Sequence, residues 1–183
     1  MPAELSAWSN FYVIAGSSAG ALTGLMFVGV TIVASRPGRA NDEGISTFSS
    51  PTVLHFCAAL LIAAVLTVPW SGLAPAAVLL ALEALFGIAY VGRIIASVSR
   101  MAKRAAYTPD REDWGWYVAM PMAAYITLLA AAVTLPAQAG GALYGIAAAT
   151  ITLVFVGIRN AWDVVTYVAT GKADELEDRQ PPG

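Results

Sequence analysis

Apolar positions fall in five long blocks, each set off from the next by a short polar stretch. The blocks run over about residues 11–35, 51–69, 75–97, 114–135 and 142–166. Each is of the order of 17–25 residues, enough for a helix to cross a hydrocarbon core about 30 Å thick. No block shows the strict alternation of a half-buried strand. The pattern predicts an all-α, polytopic transmembrane bundle of about five spans, a single domain over residues 1–170.

Local signals sharpen the boundaries. Ser50-Pro51 predicts an N-cap with proline at the first helical position, and Thr108-Pro109-Asp110 predicts another. The segments Arg36–Arg39 and Asn41–Gly44 form a predicted polar loop, Trp70–Gly72 a tight turn and Pro136–Gly141 a short turn. The third helix is expected to run on toward Arg104. Pro121 sits inside the fourth block, where it lacks an N–H to donate, so a kink or a broken hydrogen bond is expected there. Residues 171–183 are acidic, end in Pro-Pro-Gly, and predict a disordered cytoplasmic tail.

Composition agrees with the pattern. Of 183 residues, 58% are hydrophobic and 12% charged, against about 25% charged in soluble domains. A soluble fold this poor in charge could not cover its surface. The partner implied is the lipid bilayer. The net charge of −2 argues against nucleic-acid binding. The first basic residue is Arg36, after the first block. A secretory signal carries its basic region before the apolar stretch, so the first block is expected to be a mature span.

Charge also predicts orientation. Basic residues accumulate in cytoplasmic loops. All ten lie in the Arg36–Gly44 loop, the Arg100–Asp113 loop, the tail or the span ends beside them. The two turns at Trp70 and Pro136 carry none. With five spans this places the N-terminus outside and the C-terminus inside. Tryptophan prefers the two interfaces; Trp8 and Trp70 fall at one, and Trp114, Trp116 and Trp162 at the other.

Polar residues within the spans are the candidate sites. Glu83 is the one acid well inside a span, roughly 12 Å from the outer end of its helix at about 1.5 Å per residue. A carboxylate there must be paired, protonated or facing water. Gly87, Tyr90 and Ser97 share its face. Arg159 and Asp163 are four apart and can pair, with Asn160 and Trp162 beside them. That group is either a snorkelling arginine with a local partner or a cytoplasmic gate, and Arg93 could join it. His55, the only histidine, is expected to pack or hydrogen-bond, with pH sensing as the alternative. It has no second ligand at metal-binding spacing, and Cys57 points to another face, so no metal or cofactor is predicted.

The first span carries Gly16, Gly20 and Gly24 at four-residue spacing, with Thr23, Phe27 and Thr31 near the same face. Small residues at this spacing let helices approach closely. The stripe is either internal packing or a self-association and pore-helix surface. Gly141, Gly145 and Ala149 repeat it more weakly.

The stretches Leu22–Val28 (LTGLMFV) and Gly157–Asp163 (GIRNAWD) resemble segments of small bacterial multi-span membrane proteins to which no activity is attached. The resemblance covers the first and last helices and implies residence in a bacterial cytoplasmic (inner) membrane. Residues 21–33 also resemble, faintly, the pore helix of store-operated calcium channels of the Orai type. That family places an acid late in the helix; Thr31 and Ile32 stand here, so calcium selectivity does not carry over.

Two functions fit these residues. One is ion transport, by a homo-oligomeric channel or a small transporter for a cation, proton or small solute. Glu83 would then bind or relay the cargo, and Arg159 and Asp163 would frame the inner mouth. The other is a non-catalytic accessory subunit bound to a larger membrane-protein partner. An enzyme is not expected, since no serine or cysteine has a credible base and Glu83 has no second acid for aspartyl chemistry.

Overall fold

A computed structural model describes residues 2–34, 43–103 and 114–170. These form helices α1 (Ala3–Ala34), α2 (Glu43–Thr67), α3 (Leu73–Lys103), α4 (Met120–Thr134) and α5 (Ala139–Thr170), with a π-helical turn over Gly115–Ala119 leading into α4. No strand occurs among the described residues. Helix is the expected solution: a chain crossing hydrocarbon must satisfy every backbone N–H and C=O within the segment. Four helical stretches are long and apolar enough to cross a membrane, and Pro51–Thr67 of α2 adds a shorter apolar one.

The core is built from small and branched side chains. Ala59, Ile62, Leu80, Ala84, Leu128, Ala132, Ile146 and Leu153 are enclosed. The outside is as apolar as the inside. Val13 is 56% exposed, Phe86 63%, Val133 69% and Phe155 62%. A soluble bundle hides such residues; exposed all round, they form a surface suited to lipid tails.

Neighbour relations follow from close approaches. α1 packs on α2, α2 on α5, α5 on α4 and α4 on α3, while α1 also touches α5. A Cβ on Gly16 would lie 2.8 Å from Ala63 Cβ, and one on Gly20 3.9 Å from Leu60. Rising numbers on α1 therefore meet falling numbers on α2, so the two helices are antiparallel. The first turns of α1 and α5 meet instead. Trp8 lies edge-on to Tyr144 at 4.8 Å between ring centroids, and the Tyr12 hydroxyl donates to the Leu143 carbonyl at 3.3 Å. α1 and α5 thus run in the same direction, as an odd number of crossings requires. α2 and α3 are joined by a tight turn yet pack little on each other. In that turn the Trp70 indole N–H donates to the Val65 carbonyl at 2.7 Å.

Several boundaries differ from expectation. α2 begins at Glu43, so Ser50 is no N-cap and Pro51 lies inside the helix, enclosed. Local polarity at Glu43-Gly44 suggested a loop; inside α2, Pro51 forgoes one interior hydrogen bond and crowds the preceding turn, a cost that the helix carries. α1 starts at Ala3, well before the first apolar block. α5 starts at Ala139, with Ala142 N–H donating to the Gln138 carbonyl, so the turn is confined to residues 135–138. The departure from α geometry at Pro121 takes the form of the π turn. Met120 N–H reaches back to the Gly115 carbonyl, and Pro121 follows at the start of α4, where its missing donor is tolerated. The Arg36–Asp42 segment, the Thr108-Pro109-Asp110 cap and the 171–183 tail lie outside the described residues.

Candidate functional site: a polar centre inside the bundle

Tyr125 on α4 organises the middle of the molecule. Its ring lies against Gly87 of α3, where a Cβ would come within 2.3 Å of the ring carbons. Only glycine leaves room for it. The socket brings the ring between α3 and α2, which pack little on each other. Its hydroxyl meets His55 Nδ1 of α2 at 3.1 Å. Which of the two donates depends on the imidazole tautomer.

Glu83 stands one helical turn before Gly87 on α3. It is 9% exposed and faces the bundle rather than the lipid. Glu83 and Tyr90 both lie within electrostatic range of Tyr125. Neither carboxyl oxygen of Glu83 has a hydrogen-bond partner among the described residues, and the same holds for His55 Nε2. Tyr125 thus meets His55 of α2 directly and Glu83 and Tyr90 of α3 at electrostatic range, so side chains of three helices share one polar region. Buried polar groups are normally satisfied, because an unpaired one costs about 1–3 kcal/mol or more. An arrangement that leaves them open at a membrane-buried position points to function.

Asn160 forms a second enclosed polar position. It is fully buried on α5, and neither amide atom has a partner among the described residues. One turn before it, Gly157 receives the ring of Phe56, which sits 2.5 Å from where a Cβ would be. Phe56 is the residue after His55 on α2, so this contact sets α5 against the helix that carries the histidine.

Arg159 and Asp163 pair on α5, as their spacing predicts, with side chains 31% and 35% exposed. The guanidinium also lies over the Trp116 ring of the π turn, 5.9 Å from its centroid. This contact ties α5 to the segment ahead of α4. Arg93 is exposed on α3.

The glycine stripe divides. Gly16 makes the close approach to α2, Gly20 an ordinary contact, and Gly24 has nothing within 4 Å. Thr23 and Thr31 donate to the carbonyls of Ala19 and Phe27 one turn back, at 2.8 Å each. Both hydroxyls are thereby satisfied within their own helix. No cluster of three or more potential metal ligands occurs among the described residues.

Tyr125 is the residue that sequence reasoning missed. A tyrosine among the alanines and leucines of the fourth block was the available signal, and Gly87 opposite it was noted only as a face-mate of Glu83. Comparison with family models, with curated proteins and with solved structures finds no match. An all-helical apolar bundle of this kind is compatible with a multi-pass integral membrane protein, and functional inference rests on the site.

Proposed function

We propose that this chain is a small membrane transport protein that passes a proton or small cation through the interior of its own helix bundle. The observation that carries this is the convergence of His55, Tyr125 and Glu83, with unsatisfied polar atoms of His55 and Glu83 enclosed at the level of the spans. Such groups are expensive in a membrane and are retained where they handle charge. The centre is complete within one chain. An oligomer is therefore not needed to build the pathway, although copies can still associate around it. The Arg159–Asp163–Trp116 contact supports a fastening role near one end of the bundle better than that of a gate.

The setting proposed is a bacterial cytoplasmic membrane, as the resemblance of the first and last helices implies, with the N-terminus outside on the strength of the basic loops. In a Cys57→Ala background, Ser71→Cys in the turn between α2 and α3 should react with a membrane-impermeant maleimide added to intact cells. Labelling only after lysis would reverse the orientation.

Flux decides the function. Proteoliposomes should pass protons or sodium faster than protein-free vesicles. A membrane-soluble carbodiimide couples to carboxylic acids in apolar surroundings, and it should block that flux while adding one adduct at Glu83. Flux no faster than in protein-free vesicles overturns the reading.

A further inference from the structure

We infer that the transported species is the proton, relayed along Glu83, Tyr125 and His55, an inference that rests on the transport reading above. The donor set discriminates. A sodium, potassium or divalent ion is held by several oxygens that replace its water shell. The centre offers one carboxyl, the phenolic hydroxyls of Tyr125 and Tyr90 and one imidazole, and the imidazole is a poor ligand for a hard cation. The Tyr125 ring fills the space over Gly87, one helical turn from Glu83. What the three groups share is the capacity to hold and hand on a proton.

The geometry supplies the order. The Tyr125 hydroxyl is 3.1 Å from His55 Nδ1, a hydrogen bond along which a proton can move. Glu83 lies a helical turn from the glycine under the Tyr125 ring, and its carboxyl makes no direct hydrogen bond to Tyr125. In the transfer step the Glu83 carboxylic acid gives its proton to a bridging water molecule, the water passes one of its own protons to the Tyr125 oxygen, and that oxygen passes its own proton to His55 Nδ1. One O–H bond breaks on Glu83, one breaks and one forms on the water and again on Tyr125, and one N–H bond forms on His55. Tyr125 is unchanged, Glu83 becomes a carboxylate and the imidazole a cation. The imidazolium then releases its Nε2 proton to a water molecule, and the carboxylate is reloaded from water at the opposite end. Rotation of the neutral imidazole restores an acceptor nitrogen toward Tyr125. The open atoms at the two ends of the group, the Glu83 oxygens and His55 Nε2, are the ones this scheme needs for entry and exit.

The Tyr125→Phe variant removes the hydroxyl and keeps the ring in its socket, so it separates relay from packing. Proton flux into proteoliposomes is followed with an internal pH dye after a pH step, with valinomycin and symmetric potassium present to cancel the membrane potential. Uptake of sodium and rubidium tracers is measured without the ionophore. The relay predicts proton flux without tracer uptake, slower flux in D2O, and a loss of about a hundredfold or more in Tyr125→Phe and in His55→Gln. Tyr125→Phe leaves His55 Nδ1 without this partner, so its melting point in detergent should fall modestly while the variant stays folded. Tracer uptake without proton flux overturns the proton assignment and leaves the transport reading standing. Proton flux that is unchanged in Tyr125→Phe overturns the relay. Absence of both fluxes overturns the relay and the transport reading together.

Discussion

Gly87 and Tyr125 show how one missing side chain places a functional group. The tyrosine is 1% exposed, and its hydroxyl could not reach His55 if the ring were displaced from α3. The clash of an added methyl is with ring carbons, which cannot swing away as a flexible chain end would. Gly87→Ala should therefore destabilise the protein by about 1–3 kcal/mol and weaken transport as well. Melting in detergent and flux in vesicles check the two effects, and an unchanged melting point would show that the ring has room to move. Glu83 and His55 were legible in the sequence as polar residues in apolar blocks. Their common partner was not, because tyrosine is an ordinary membrane residue and its position across from Gly87 depends on how two non-adjacent faces meet.

Among the helices, α1 and α2 make the most extensive contact, and the glycine stripe was its sequence signature. The stripe marks the right face but not its extent. Gly16 alone meets a backbone-attached carbon at 2.8 Å, while the helices have separated by Gly24. Gly16→Ala should cost about 1–3 kcal/mol from overpacking. Gly24→Ala should be neutral, or stabilising by up to about 1 kcal/mol through helix propensity. Equal losses at both positions, measured by thermal unfolding in detergent, would mean that Gly24 has a close neighbour in a second copy of the chain. The π turn before α4 illustrates a partly legible feature. Proline within a span signals a disturbed hydrogen-bond ladder, but it does not say whether the ladder breaks, bends or widens. Here it widens, and the widened turn carries Trp116 toward Arg159. Pro51 shows the converse, since a proline taken as a helix start lies inside α2.

For the molecule as a whole, fold class and number of helices could be read from the spacing of apolar blocks, because the bilayer sets span length and leaves the backbone few alternatives. The common direction of α1 and α5 agrees with the odd number of spans expected. The order in which helices pack was not readable: α2 joins α3 in sequence but lies chiefly against α1 and α5. That order brings His55 opposite Tyr125 and leaves Asn160 enclosed on α5. It also places His55 and Tyr125 in contact within one chain. The central claim is that Glu83 handles the transported charge inside this bundle. The most direct measurement is flux through proteoliposomes of Glu83→Gln beside the parent, at matched reconstitution and with helical content verified by circular dichroism. The account predicts transport in the parent and a loss of about a hundredfold or more in the variant, since the amide keeps the shape but cannot give up a proton at neutral pH. A folded variant that transports as fast as the parent would contradict it.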